Sequence, residues 1–284
     1  MHHLRFTTTG VFDQTQDFGC ASLGLAGTCE NTAVYERPLR GTVLTGTYEQ
    51  ILKAAKEIAG SESIHAAVVL FGNAGGENEF LRQLQTVVSC PMVGGGAAID
   101  GATGKAGLIT GGGQAAVFLI QDDRYTFRAV TQCIHDQLLE DCVLTMEDLR
   151  TVLTINGTDA AQFLARKKAQ LGLAETDFEH LTLTDISGVN AHLSLAEGKI
   201  KSGRDLCTQM QLRYVAHEKV YDRMREFYND PDAIVFGCAG LSGLLDRPLD
   251  TTSLGLFLFG EVCTVENHAE FGNLMLSKLQ IIPK

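Results

Sequence analysis

The sequence predicts an α/β or α+β protein with mixed sheets, built from two similar halves. Apolar runs at 66–71 and 233–237 stop at small residues, which is typical of buried strands. A segment with apolar residues at helical spacing precedes each run. An ungapped offset of 165 positions gives four identities and predicts an internal duplication: Phe71, Gly72, Ala74 and Gly75 align with Phe236, Gly237, Ala239 and Gly240.

Local signals predict the elements of the first half in order. Thr47 is a suitable N-cap for a helix that ends at Gly60. After the strand at 66–71, the segment from Glu77 to Val88 has the spacing of an amphipathic helix, and Pro91 prevents it from continuing. Short strands follow at 92–94, 106–110 and 115–120, with turn sequences at Asp100-Gly101 and Gly111-Gly112-Gly113.

The second half begins with strands and one helix. Residues 126–133 alternate between apolar and polar, and a strand at 152–155 meets an Asn-Gly turn. Asp159 to Leu171 predicts a helix that Gly172 ends. Residues 180–212 predict a polar, antiparallel β segment.

A last helix and strand complete the second half. His217 to Tyr228 predicts a helix with one apolar face, which stops before Pro231 because proline cannot continue a helix. The strand at 233–237 follows it. We therefore place the two halves at 1–124 and 125–284.

Composition excludes several classes of partner. The formal net charge of −11 argues against nucleic acid, because binding to phosphates needs clustered Lys and Arg. No apolar run reaches the roughly 18 residues of a membrane span, and the start lacks the apolar core of a signal peptide. The eight cysteines form no C-x-x-C pair and are expected to be reduced thiols. We expect a cytoplasmic protein without a metal.

The glycine clusters do not fit nucleotide-binding loops, so no cofactor is expected. Gly104-Lys105 is followed by Ala106, which leaves no Ser or Thr for magnesium. Gly111 and Gly113 have the spacing of a dinucleotide fingerprint but lead into an apolar strand. A pyrophosphate needs the N-terminus of a helix at that point.

Two reactive side chains stand at strand ends, and each has two interpretations. Cys238 is a candidate nucleophile if His217 or His268 acts as its base, and otherwise it is a packed thiol. Glu261 follows a buried apolar run, where a carboxylate needs a partner. It either anchors the amine of a ligand or accepts hydrogen bonds from a neighbouring loop. The residues alone leave both alternatives open.

The strand ends are predicted to line one ligand-binding cavity between the halves. Small residues at these ends let a ligand approach the backbone closely. Polar side chains on the loop predicted between the last two strands offer hydrogen bonds to a ligand or cap the turn. The predicted site comprises Asn73, Gly94, Gly95, Gly96, Cys238, Gly240, Gly260, Glu261, Asn267, His268 and Asn273.

Several of these motifs resemble the FIST family, the ligand-sensing domains of bacterial signal-transduction proteins. The first half resembles the N-terminal FIST domain through residues 65–120 with Gly94-Gly95-Gly96. The second half resembles the C-terminal FIST domain through four motifs: the strand and turn at 152–161, the strand and glycine turn at 199–203, the strand end Phe236-Gly237-Cys238-Ala239-Gly240, and Phe259-Gly260-Glu261 with Asn273.

The resemblance implies a sensor of small molecules, amino acids or related metabolites, that acts on a signalling partner. The chain departs from the family at Leu241-Ser242, where an arginine is often found, and its first half is shorter. The alternative is an enzyme that uses Cys238 or Glu261 on a small amide or amino compound. A third alternative is an interaction protein that binds no ligand.

Overall fold

A computed structural model describes residues 2–6, 12–16, 21–22, 26–27, 38–72, 75–96, 114–247, 249, 254–258 and 260–284. Short strands come first: β1 (His2–Phe6), β2 (Phe12–Gln16), β3 (Ala21–Ser22), β4 (Ala26–Gly27) and β5 (Pro38–Leu39). The first half then contains β6 (Gly41–Gly46), α1 (Tyr48–Ala59), β7 (Ala66–Phe71), α2 (Glu77–Val88), β8 (Met92–Gly96) and β9 (Ala115–Ile120).

The second half is interrupted by a separate β unit. After β10 (Tyr125–Cys133) come the elements that we call the inserted unit: β11 (Gln137–Asp148), β12 (Thr151–Ile155), β13 (Thr158–Asp159), α3 (Ala160–Leu171), β14 (Leu181–Thr184), β15 (Asn190–Ala191), β16 (Leu193–Ala196), β17 (Lys199–Ser202) and β18 (Gln209–Tyr214). Its strands form one antiparallel sheet, with a hydrophobic core of its own that includes Phe163 and Leu164 of α3.

The chain then returns to the second half. Its remaining elements are α4 (His217–Tyr228), β19 (Ala233–Cys238), α5 (Ala239–Ser242), β20 (Leu254–Leu258), β21 (Glu261–Val265), β22 (His268–Gly272) and β23 (Met275–Pro283). The first sheet has the order β22-β21-β8-β7-β9-β6, and the second has the order β10-β23-β19-β20. The hairpin of β21 and β22 thus belongs to the second half in sequence but extends the sheet of the first.

The two sheets pack face to face between helices. Val68 and Leu70 of β7 face Phe236 of β19 in one core, while Val69 on the opposite side of β7 packs against α1 and α2. Val235 of β19 likewise packs under α4. Alternating strand residues point to opposite faces, so each apolar strand contributes to two cores. The layers are therefore helix, sheet, sheet and helix, which confirms the predicted α/β or α+β class.

β7 and β19 occupy equivalent positions in their sheets. Each follows a helix of 12 residues, α1 and α4 respectively. Each pairs in parallel with the next strand of its half, β8 or β20, and antiparallel on its other side with β9 or β23. The outermost partners, β6 and β10, precede the helices in sequence. This shared order agrees with the predicted duplication, whose evolutionary origin remains a prediction.

The local signals locate the helices well. Thr47 caps α1 through its side chain, Asp159 caps α3, and Gly172 ends α3 in the left-handed conformation. The bounds of α2 and α4 agree with the prediction. The long strand β11 was not predicted, because exposed and buried residues mix along it. The predicted strand at 106–110 and the turns at Asp100-Gly101 and Gly111–Gly113 lie outside the described residues.

The predicted loop between the last two strands is wrong, because β22 intervenes. Asn267 lies in the turn between β21 and β22, His268 is the first residue of β22, and Asn273 lies in the turn before β23. β22 is only five residues long and has a mixed pattern, so its sequence resembles a loop. None of the helices that the structure describes is long and apolar enough to cross a membrane.

Candidate functional site

The glycine strand ends of the two halves meet in the first sheet. Pairing of β8 with β21 places Glu261 opposite Gly95, and the Gly96 N–H donates to the Gly260 carbonyl at 3.0 Å. A Cβ on Gly95 would lie 2.2 Å from that same carbonyl oxygen. On Gly94, which has a φ of +135°, a Cβ would lie 1.9 Å from the Val69 carbonyl oxygen. Close packing of backbones therefore accounts for these two glycines.

Cys238 is buried at the junction of β19 and α5, beside the Glu261 carboxyl. Burial raises the pKa of the thiol, and the nearby Glu261 raises it further. Backbone N–H groups of Leu274, Gly240 and Gly260 face the sulfur and act in the opposite direction, but burial dominates. The thiol is therefore protonated at neutral pH and is a poor nucleophile.

Glu261 is fully buried and only half satisfied. Its Oε2 accepts a hydrogen bond of 3.1 Å from the Met275 N–H. Its Oε1 lacks a hydrogen-bond donor of good geometry among the described residues, although the Cys238 thiol lies close enough to act against the rise in the pKa of Glu261. Burial raises the pKa of Glu261 well above its usual value and so favours the neutral form of the carboxyl.

Tyr228 joins this cluster from the end of α4. A Cβ on Gly237 would lie 2.2 Å from the Tyr228 hydroxyl oxygen, so the missing side chain makes room for the phenol. Burial raises the pKa of Tyr228, and Glu261 and Cys238 add to the shift. Tyr228 was not predicted as part of a site, because helical spacing indicated only that α4 has an apolar face.

Asn273 is the second buried group with an unused acceptor. Its N–H donates to the Asn190 carbonyl at 2.9 Å, which ties the turn before β23 to the inserted unit. Its Oδ1 has no donor in the part of the chain that the structure describes. A Cβ on Gly203 would lie 2.6 Å from Asn273 Oδ1, and a Cβ on Gly260 would lie 2.9 Å from Asn273 Nδ2. The two glycines leave room for the amide.

The inserted unit closes a ring of neighbouring residues around this cluster. If Gly240 carried a Cβ, that atom would lie 3.4 Å from Glu179 Cγ, so the two residues are neighbours. Glu179 Oε1 lies 3.6 Å from His192 Nε2. The His192 carbonyl in turn accepts the Gly203 N–H at 2.9 Å. Gly203 lies beside Asn273, and Asn273 lies beside Gly260, the residue that precedes Glu261. We call this set the Glu261 ring: Glu179, His192, Gly203, Cys238, Gly240, Gly260, Glu261 and Asn273.

Two of the predicted site residues lie elsewhere. Asn267 and His268 are beyond the far end of β21, and a strand of five residues spans about 13 Å from Glu261. They meet α2, where Gln85 Nε2 donates to the Asn267 carbonyl and His268 lines a shallow groove. Distance along β21 therefore separates both from the Glu261 ring. Asn73 lies outside the described residues.

Neither a group of metal ligands among the described residues nor a matching family model identifies this cluster. Within the described ranges, no three His, Cys, Asp or Glu side chains are grouped to hold a metal ion. No protein-family model and no curated protein sequence matches the chain.

Proposed function

We propose that this chain is a small-ligand-binding protein of the sensory kind, and that Glu261 anchors an amino group of its ligand. The observation that carries the proposal is a pair of buried acceptors, Glu261 Oε1 and Asn273 Oδ1, with no donor among the described residues. A buried polar atom without a partner costs about 1–3 kcal/mol. N–H groups of a ligand would satisfy both oxygens.

A cationic nitrogen suits this position better than a neutral one. When an ammonium binds, Glu261 gives up its proton and accepts a charge-assisted hydrogen bond, which is roughly twice as strong as a neutral one. An amino acid or a related small metabolite has such a group. The resemblance to the FIST family points to the same class of ligand, and a cytoplasmic location with a signalling partner belongs to the same proposal.

The alternative, an enzyme that uses Cys238, has less support. The pKa of the thiol is raised by burial, whereas a nucleophilic cysteine needs a lowered one. The described hydrogen bonds include none between Cys238 and either His217 or His268, its predicted bases. Glu261 is poorly placed to replace them as a base, because burial raises its pKa and favours the protonated carboxyl, which cannot accept a proton.

The proposal is tested by a thermal-shift screen of amino compounds, followed by calorimetry on Glu261→Gln. Glutamine keeps the shape of the side chain but cannot carry the charge, so the affinity should fall by about 1.5–3 kcal/mol. Glu266→Gln, in the exposed turn after β21, is the matched control and should bind normally. Unchanged affinity in Glu261→Gln would contradict the proposal and leave Glu261 as a structural residue.

A further inference from the structure

Asp177 and His180 form a buried pair just before β14 in the inserted unit. The Asp177 carboxylate accepts hydrogen bonds from the Nδ1 of the His180 ring at 2.7 Å and from the His180 N–H at 3.2 Å. A carboxylate at Nδ1 favours the tautomer with its proton there, which leaves a lone pair on Nε2. Histidines that bind metal ions are commonly held in this way, because the carboxylate fixes the orientation of the ring.

The other ring nitrogen of His180 has nothing to bond to. Its Nε2 is buried and has no hydrogen-bond partner among the described residues. The whole residue is only 6% exposed, so bulk water does not compensate for the missing partner. A buried polar atom of this kind in a native protein indicates a bound water, an ion or a functional role.

Strand pairing brings a second histidine beside this ring. The Val215 N–H donates to the His180 carbonyl at 3.1 Å, which extends the pairing of Leu181 with Tyr214. Two residues later, His217 begins α4 and is exposed. The centres of the His180 and His217 rings are 5.7 Å apart. Zn–N bonds of about 2.0–2.1 Å let one ion bind two rings whose centres are about 5–6 Å apart.

The charges around the two rings favour a cation. The Tyr214 ring lies 6.4 Å from that of His180, and its pKa is raised by burial and by the negative charges of Glu218 and Asp177. Both carboxylates are therefore close to the histidines. Lys168 is also near Asp177, but its ammonium donates to a backbone carbonyl at 2.6 Å.

We infer that His180 and His217 bind a divalent transition-metal ion that prefers imidazole ligands, such as Zn²⁺, and that Asp177 is a positioning residue for His180. Two protein ligands and water complete the coordination, which agrees with the absence of a group of three ligand side chains among the described residues. The sequence predicted no metal, because the two histidines meet only through the pairing of β14 with β18.

The position of the site indicates what the ion would do. His180 belongs to the inserted unit, and His217 is the first residue of α4 in the second half. One ion bound to both would hold the unit against α4. This inference does not depend on amine binding at Glu261.

Calorimetric titration with zinc chloride tests the inference on the wild type, His217→Gln and His268→Gln. We expect the tightest site of the wild type to be at least about 100-fold weaker in His217→Gln, because a direct ligand contributes at least as much as the 10–100-fold of a positioning residue. His268→Gln is the matched control, since His268 is also exposed and also begins its element. It should bind as the wild type does.

Two further measurements address the buried pair without removing His180. Asp177→Asn should bind Zn²⁺ about 10–100-fold more weakly, with the same number of sites and the same melting temperature without metal. In nitrogen NMR of the wild type with isotope-labelled histidine, saturation with Zn²⁺ should shift the His180 Nε2 resonance.

Several results would overturn the inference. They are the absence of Zn²⁺ binding to the wild type, full affinity in His217→Gln, an equal loss in His268→Gln, or a His180 Nε2 resonance that does not move. Unchanged affinity in Asp177→Asn would contradict its positioning role.

Discussion

At the scale of single residues, the buried environment of Glu261 is the main feature of the candidate site. Its position after an apolar run ending in glycine identified it from the sequence as a carboxyl in need of a partner. The structure gives it one donor, from Met275, and leaves Oε1 without one among the described residues. A buried acid that is neutral when free and ionised when bound is suited to recognising a cation.

Burial of Glu261 predicts a pH-dependent gain in stability for Glu261→Gln. The folded-state pKa lies above that of the unfolded chain, so the folded protein binds the extra proton between these two values. The contribution of the Glu261 carboxyl to the free energy of unfolding is fully present below its pKa in the unfolded chain, about 4.3. It is lost as the pH rises through the pKa in the folded protein. The variant does not titrate, so its stability relative to the wild type should increase over that interval.

Urea denaturation of both proteins from pH 4.5 to pH 8 measures this difference. Glu266→Gln, in an exposed turn, controls for the change in net charge. Parallel stability curves for Glu261→Gln and the wild type would mean that the carboxyl has no raised pKa in the folded protein.

Other residues of the Glu261 ring could not be predicted, for a common physical reason. Glu179 lies beside Gly240 and Gly203 lies beside Asn273, while His192 links Glu179 to Gly203. Gly240 and Asn273 are far from these three residues in sequence. Nothing in their local patterns indicates such contacts. A single sequence carries no signal of which distant residues touch, so only the fold brings them together.

At the scale of elements, signals close in sequence gave accurate predictions. α2 and α4 have the predicted bounds, because amphipathic spacing and the breaks near Pro91 and Pro231 are local. β11 and β22 escaped prediction, because a strand of mixed polarity is defined by its partners. Asn267 and His268, which were predicted in one site with Glu261, lie away from the Glu261 ring for the same reason.

The close pairing of β7 with β8 predicts that Gly94→Ala is strongly destabilising. The new Cβ would lie 1.9 Å from the Val69 carbonyl oxygen, at a φ of +135° that alanine rarely adopts. We expect a loss of at least about 3 kcal/mol in the free energy of unfolding, measured by chemical denaturation.

Gly60→Ala is the matched control at the end of α1. Its Cβ would meet neighbouring atoms at 3.5 Å, an ordinary contact, and its φ of −74° suits alanine. We expect a small gain of about 0.4–1 kcal/mol, because alanine has less conformational freedom than glycine in the unfolded chain. A loss below about 1 kcal/mol for Gly94→Ala would contradict the described strand pairing.

At the scale of the whole molecule, the inserted unit is held to the first sheet by Arg204. This buried side chain lies 2.9 Å from Asp185 of its own unit and 3.6 Å from Glu270 on β22, and it donates to the Val189 carbonyl at 3.1 Å. The Glu261 ring crosses the same junction. Docking of the unit and formation of the proposed site are therefore linked.

Arg204→Met should weaken this junction. The substitution leaves two acidic side chains close together without their cation, and we expect a loss of about 3 kcal/mol in the free energy of unfolding. Arg82→Met, which removes the exposed partner of Glu79 on α2, should change stability little. Equal effects of the two substitutions in chemical denaturation would show that Arg204 does not hold the unit in place.

The sheets show which long-range features of the fold could be predicted from the sequence and which could not. The offset of 165 residues predicted that β7 and β19 are equivalent, and their pairing is equivalent. The inserted unit was predicted only as a polar β segment, because its sheet forms between strands up to 77 positions apart, such as Gln137 and Tyr214. No pattern in the sequence predicted that the β21–β22 hairpin, which belongs to the second half in sequence, pairs with the sheet of the first half.

The central claim is that an amine binds at Glu261 and displaces its proton. Calorimetric titration of the strongest-binding amine from the screen, in two buffers of different ionisation enthalpy near pH 7, tests it most directly. We predict that the wild type releases up to one proton for each ligand bound, and that Glu261→Gln releases none. A heat of binding to the wild type that does not depend on the buffer, or equal proton release from both proteins, would contradict the claim.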